Sequence, residues 1–453
     1  MAARGVRRGP VRSTRVAIRL RSPYDREIIR LAVPALGALV AEPLYVLADT
    51  AIVGHLGTRQ LAGLAVAGIV LTAAFAIFNF LAYSTTGAVA RQLGAGRLGE
   101  ATRIGIDAAW LALGLGLVLT AIGVLLAPLV IDAMGASAGA RPYAITYLRI
   151  SAFGAPAYLL ALAGSGFVRG MQDTRVTLVI AIAAAAANVV LELVLVYGLD
   201  LGIAGSAWGT VLAQMGAALA YVRILHRAAR RTGTHWRPDA DGVRRVAVIG
   251  GPLVVRTGSL LAVSVTVTAL AARIGDVAVG AHQIAFQANL LLALALDAVA
   301  IAAQALVGRY LGAGDARRAR AASWRMVELG VVAGVAVGLV VAVVAPWFPD
   351  LFTDDPSVVD LAARVLLVVA LLQPLAAVVF VLDGVLIGAG DQRYLAVAMV
   401  VASFGVFAPL AAAVAIAGGG LLALWAAISA WIVARAVGMV GRFLTPRWER
   451  VGA

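Results

Sequence analysis

From residue 28 onward the chain is a succession of long apolar runs, each interrupted by charged residues or by Gly and Pro. Twelve such runs lie at about 28–54, 60–86, 104–130, 144–168, 176–198, 203–226, 246–272, 277–305, 324–347, 359–387, 394–416 and 418–441. Each reaches the ~20 residues that a helix needs to cross the hydrocarbon core of a bilayer. None alternates with a period of two, which argues against a membrane barrel, and an all-α integral membrane protein with 12 transmembrane helices is predicted. Composition agrees, with 62% hydrophobic and 13% charged residues against about 25% charged in soluble domains.

Charge placement orients the bundle. All 37 basic residues are Arg, and the formal net charge is +14. If the N-terminus is cytoplasmic, 29 Arg fall on that side and five on the other: Arg59, Arg141, Arg149, Arg273 and Arg364. Both termini are therefore expected inside, and the excess of Arg needs no nucleic-acid partner to explain it. Of the three Arg within spans, Arg30, Arg256 and Arg435, the last is expected to snorkel to the cytoplasmic interface. The absence of Cys excludes disulfides, thiolate metal sites and cysteine nucleophiles. No short apolar core with a small-residue cleavage site precedes the first span, so no cleaved signal peptide is expected. The Lys-free, Arg- and Ala-rich composition suggests a high-GC bacterial source and hence a bacterial plasma (inner) membrane.

The chain is internally duplicated. Pro34 and Pro252, Gly57 and Gly275, Arg91 and Arg309, Pro128 and Pro346, Pro156 and Pro374, Asp173 and Asp391, and Arg175 and Arg393 are all 218 apart, and LGAG recurs at 93–96 and 311–314. A constant offset over that distance argues for duplication. Each half has six spans, an even number, so the halves are parallel repeats with a substrate site expected between them near mid-membrane. The predicted organisation is a disordered basic cytoplasmic tail at 1–27, an N-lobe at 28–226, a polar cytoplasmic linker at 227–245, a C-lobe at 246–441 and a cytoplasmic tail at 442–453. The shared blocks R(Q/Y)LGAG and G(M/A)(Q/G)D(T/Q)R read as structural turns at helix ends.

Ionisable residues inside apolar spans cost about 2.5 to 3.5 kcal/mol each at the bilayer centre, so they mark function unless they are paired. In the N-lobe, Glu42 and Asp49 share one face of the first helix, Asn79 and Tyr83 one of the second, and Asn188 and Glu192 one of the fifth. Glu192 has no basic neighbour in its span. Buried carboxylates near one another can hold a proton near neutral pH, or gather with Asn oxygens around Na⁺, which prefers hard oxygen ligands. An ion and a cationic substrate that compete for the same acids constitute an antiporter. The C-lobe differs: Asp49 and Glu42 map at the offset onto Val267 and Leu260, and its own candidates are Arg256, Gln283, Gln287, Asp297 and Asp383. Arg256 is expected to pair with Asp297 or Asp383, and Glu328 to form an interfacial salt bridge with the Arg cluster before it.

LAVPALGALVAEPLYVLADTAIVGHLG, the duplicated RQLGAG and GRYLGAGD, NVVLELVLVYGLDLGIAGSAWGT, AHQIAFQ and FVLDGVLIGAGDQRY, in this order, resemble the multidrug and toxic compound extrusion (MATE) family and its DinF-like branch, over residues 28 to about 445. The resemblance implies a V-shaped two-lobe bundle that alternates between inward and outward openings. It also implies secondary active export of organic, often cationic, compounds in exchange for H⁺ or Na⁺. Asp49, in ADTAIVG, matches the family's first-helix acid, and Asn188 and Glu192 match an Asn-x-x-x-Asp pattern, here with a Glu one methylene longer. Together these three resemble the N-lobe cation site. Asp383 matches an acidic position of the tenth helix, and Glu42, an addition to the pattern, is expected to line the cavity. No cofactor is expected beyond the coupling ion, for which titratable carboxylates favour H⁺ over Na⁺.

The alternative within the superfamily is a flippase for lipid-linked or polysaccharide precursors. Its pyrophosphate would call for a cavity lined with Arg or Lys, whereas the spans offer five acids against Arg256. Short outer loops argue against a receptor or ligand domain, and no metalloprotease or serine-hydrolase motif is present, so no enzyme is expected. The expected partners are small organic solutes and the bilayer, with the chain as a monomer.

Overall fold

A computed structural model describes residues 22–452; most of the tail assigned to 1–27 lies outside the described residues. The chain forms α1 (Asp25–Gly54), α2 (Thr58–Gly94, with a 3-10 turn at Ile77–Asn79), α3 (Leu98–Ala133) and α4, which is two pieces, Arg141–Ala152 and Ala155–Gly170, bent by 49°. Then come α5 (Thr174–Gly198, its last turn a π-helix from Val194), α6 (Gly202–Thr232), α7 (Ala240–Ile274) and α8 (Asp276–Gly312). The remaining helices are α9 (Ala316–Val344), α10 (Pro356–Gly388), α11 (Gln392–Ile416) and α12 (Leu421–Leu444). This is a multi-pass, all-helical membrane protein with up to 12 spans, and no strand occurs among the described residues. α1 starts at Asp25, inside the segment assigned to the tail, and the stretch between α6 and α7 shortens to 233–239.

Local chemistry explains several boundaries. The side chains of Asp173, Asp239, Asp315 and Asp355 each accept a backbone N–H at the start of α5, α7, α9 and α10, satisfying donors that a helix leaves unpaired. Gly96 and Gly314 take φ of +73° and +78° after α2 and α8, a left-handed conformation open to Gly at little cost. Pro34 and Pro43 remain inside a continuous α1, as membrane helices tolerate when neighbouring helices support the freed backbone groups.

Gly pairs repeated at the 218-residue offset set how helices meet. Within the lobes, a Cβ on Gly166 would come 2.6 Å from the Ala82 carbonyl oxygen, and one on Gly384 2.3 Å from that of Ala300, so α4 packs on α2 as α10 packs on α8. Between the lobes, a Cβ on Gly94 would lie 1.9 Å from the Arg309 carbonyl oxygen, and one on Gly312 2.0 Å from that of Arg91. The duplicated LGAG block therefore does more than turn the chain: its first Gly is where α2 and α8 cross.

The lobes are joined at the end that carries both termini. Arg325 holds Asp25 at 2.6 and 2.9 Å and Glu328 at 3.0 Å, while Arg309 and Tyr310 hold Glu27 at 2.5 and 2.8 Å. Gln172 donates to the Ala305 carbonyl at 2.8 Å, and Arg91 donates to the carbonyl of Arg450. One apolar cluster spans both lobes here, from Ile28, Leu31 and Leu81 to Leu306 and Leu386. Farther along the spans the core divides into a C-lobe cluster around Val267, Val369 and Trp425 and an N-lobe cluster around Val53, Ile131 and Tyr147. Among the described residues, no side-chain hydrogen bond joins the lobes beyond Tyr83–Asp297, and the bundle is a V that opens away from its termini.

Gly94→Val should force that joined end apart. In the otherwise cysteine-free chain, Ala90→Cys, buried against Gly308, should react with a maleimide several-fold faster when combined with Gly94→Val than alone. Equal rates would show that the glycine crossing does not hold the lobes together.

Candidate functional site

In the N-lobe, four helices converge on a group of acceptors. Glu42, Tyr45 and Asp49 follow one another on one face of α1 at helical spacing. Asp49, only 6% exposed, accepts hydrogen bonds from Tyr147 of α4 at 3.1 Å and from Ser206 of α6. Glu192, wholly buried on α5, faces it. One Glu192 oxygen accepts from Asn188 Nδ2 at 2.8 Å and from Thr210 at 3.2 Å; the other, with Asn188 Oδ1, is buried with no hydrogen-bond donor among the described residues. Gly209 makes the packing possible, since a Cβ there would sit 2.7 Å from Glu192 Cγ. A hydrogen bond from Tyr197 to the Ile52 carbonyl at 2.8 Å ties the π-helical end of α5 to α1.

Beside this group lies a cavity of about 160 Å³, with Glu42, Tyr45, Tyr158, Asn188, Thr210 and Gln214 among its lining residues. The sequence makes this space directly: Ala181, Ala184 and Ala185 of α5 put methyl groups where larger side chains would fill it. Among the described residues, neither Asp49 nor Glu192 has a basic partner within ion-pair distance. Two facing carboxyls beside an unpaired amide oxygen offer the hard oxygen ligands that a cation takes, and Asp49, Asn188 and Glu192 are the residues that would hold one.

Around mid-span the charges are of both signs. Arg256 of α7 grips Asp383 of α10 with two nitrogens, Nε at 3.4 Å, and Arg435 of α12 reaches the same carboxylate at 3.1 Å. Asp297 of α8 accepts from Tyr83 of α2 at 3.3 Å and lies near Arg169 and Arg256. The expected partner of Arg256 is thus Asp383 rather than Asp297. Arg435 does not snorkel; it is 6% exposed, with its guanidinium 4.8 Å from the Trp431 ring centre, because its face of α12 turns toward α10. Arg169, counted on sequence among the cytoplasmic positives, is buried at the end of α4. The tally of five acids against Arg256 therefore omitted two buried Arg.

A second cavity, of about 230 Å³, lies inside the C-lobe between α7, α8, α10 and α12. His282, Phe286 and Asn289 line it from α8, whereas Gln283 and Gln287 are exposed and do not. Asn79, half-buried at the 3-10 turn of α2, joins neither the acids nor either cavity, and Tyr83 belongs to the contact between the lobes. Sequence reasoning missed Tyr147, Ser206 and Thr210. The last two are four apart and so share one face of α6, a signal that could have flagged them; Tyr147 carried none.

The two kinds of acid should respond oppositely to neutralisation. Asp383→Asn leaves two buried guanidiniums without a counter-charge and should destabilise the protein by about 3 to 5 kcal/mol. Asp49→Asn removes one of two facing carboxyls and should cost less than about 1 kcal/mol. Chemical denaturation of the purified protein in detergent measures both; equal losses would contradict this division.

Comparison with known proteins agrees with the geometry. The family model MatE matches residues 34–194 and 252–413, one stretch in each lobe. The Arabidopsis thaliana protein DETOXIFICATION 44, chloroplastic, is 31% identical over 424 residues, covering 91% of this chain and 80% of that protein. The DNA damage-inducible protein F of Escherichia coli (strain K12) is 27% identical, covering 94% of this chain and 92% of its own. A solved structure described as the outward-facing conformation of a multidrug resistance MATE family transporter superposes with a TM-score of 0.84 at 22% identity, over 95% of this chain and 98% of that one. With both halves matched in the order of the internal repeat, the chain belongs to the MATE family of membrane transporters.

Proposed function

We propose that this protein exports amphiphilic organic compounds across a bacterial plasma membrane in exchange for a cation, H⁺ in preference to Na⁺, with both termini in the cytoplasm and the chain acting as a monomer. The observation that carries this reading is the facing pair Asp49 and Glu192, buried without a basic partner and connected through Asn188 and Thr210 to a cavity bordered by Glu42. Two such carboxylates repel each other in a low dielectric, and that repulsion is relieved by a proton shared between them or a cation bound to both. A cationic end of a solute in the adjoining cavity competes for the same negative charge, so ion and solute alternate.

Alternating access requires that the joined end part when the outer end closes. The Arg309–Glu27 contact is polar and partly exposed, and exposed ion pairs contribute little net stability, so it can break and re-form at small cost. Arg325, buried against Asp25 and Glu328, and the close-packed glycine contacts hold the joined end in one of two discrete arrangements.

Efflux of ethidium from proteoliposomes under an imposed pH or Na⁺ gradient tests the reading. The pH gradient should drive efflux in the native protein, and Asp49→Asn and Glu192→Gln, both inserted and folded, should fall to the level of empty vesicles. Full activity in Asp49→Asn would remove the coupling role. Efflux driven by Na⁺ alone would change the ion, and no transport of ethidium under either gradient would move the weight to a lipid-linked precursor.

A further inference from the structure

We propose that the C-lobe cavity binds an aromatic group bearing a carboxylate or a similar oxygen acceptor, so that it selects the anionic end of a solute while the N-lobe handles cations. This rests on the reading of the protein as an exporter, and it adds the substrate chemistry of a second subsite. Among the described residues, three buried polar atoms of residues lining this cavity have no partner: Trp425 Nε1, Arg435 Nε and His282 Nδ1. The first two can only donate. His282 is 1% exposed and meets Thr268 Oγ1 through its other nitrogen at 3.3 Å. Buried donors left unpaired are costly, and native interiors contain few of them. Each obligate donor calls for an acceptor of its own; Trp425 and Arg435 are ten residues apart on α12, about 15 Å of helix rise, so a single acceptor reaches one of them.

The charge beneath the cavity has the matching sign. Arg256 and Arg435 share the single carboxylate of Asp383, which leaves one positive charge uncompensated; the nearby Asp297 has Arg169 beside it. Such a surplus in a low dielectric attracts an anion, and guanidinium suits a carboxylate through both charge and geometry. The walls are apolar and aromatic, with Phe286, Phe380, Trp425 and Trp431 around the space. Aromatic walls can also hold a cation over a ring face. Here the Trp431 ring already has the Arg435 guanidinium against it, and a second cation would be repelled.

The polarity is therefore opposite to that of the N-lobe cavity, which Glu42 borders and beside which Asp49 and Glu192 have, among the described residues, no basic partner. The internal repeat supplies the two cavities, and divergence gives them their signs: Glu42 and Asp49 have Leu260 and Val267 at their equivalent positions, both of which line the C-lobe cavity.

The test uses the full chain in lipid nanodiscs and two probes of similar size, naphthoate and naphthylmethylammonium, titrated by calorimetry. Naphthoate should bind, and the ammonium probe at least about tenfold more weakly. Trp425→Phe keeps an aromatic ring and removes the N–H donor, and should weaken naphthoate by about tenfold, the loss expected for one hydrogen bond to a charged acceptor. Equal or tighter binding of the ammonium probe, no binding of naphthoate, or naphthoate binding unchanged in both Trp425→Phe and Arg435→Lys would each overturn the proposal. Asp49→Asn, carried through the same titration, should bind naphthoate as the native protein does. If that variant also transports normally, the coupling role of the N-lobe fails while the C-lobe subsite stands.

Discussion

A buried charge in a bilayer has to be compensated, and the two lobes of this transporter meet that requirement differently. In the C-lobe a counter-charge is built in: Asp383 sits between Arg256 and Arg435, and its loss would leave both guanidiniums without one. In the N-lobe, among the described residues, Asp49 and Glu192 have only hydroxyl and amide partners, which orient the carboxyls without neutralising them. A neutralised charge cluster at one site and an unneutralised pair of acids at the other make up this asymmetry.

The same asymmetry is built on a symmetric frame. Gly166 and Gly384 pack against Ala82 and Ala300, and Gly94 and Gly312 against each other's strand of backbone across the lobes, each pair one repeat apart. Gly at these positions lets helices approach until backbone meets backbone, the usual basis of close packing where lipid offers no hydrophobic drive. Rigid lobes with a narrow crossing can rock about it. The two lobe-specific cores lie away from that crossing, and the cavities are lined from the middle of their helices.

Several features of the site were visible before any coordinates. Glu192 in NVVLELVLVYGL and Asp49 in ADTAIVG were conspicuous because an unpaired acid in an apolar run has few structural uses. Others were not visible because their meaning depends on which face of a helix turns inward. Arg435, near the end of its span, had the position of a snorkelling residue, yet it points at Asp383. Gln283 and His282 are adjacent in sequence; one is exposed and the other 1% exposed against Trp425. Periodicity says which residues share a face, and only packing says what that face meets.

Hydropathy, the placement of Arg and the constant 218-residue offset were enough to determine a helical membrane protein of two repeated six-span lobes, because backbone groups in lipid must be satisfied within a helix and because duplication preserves spacing. The tertiary structure decided which charges neutralise each other. Arg256 had two acids within reach by sequence, and the fold gave it Asp383; Glu192 had none in its own span, and the fold brought it Asp49 rather than an Arg. Partner choice depends on long-range geometry between helices, to which the sequence of any one span is indifferent.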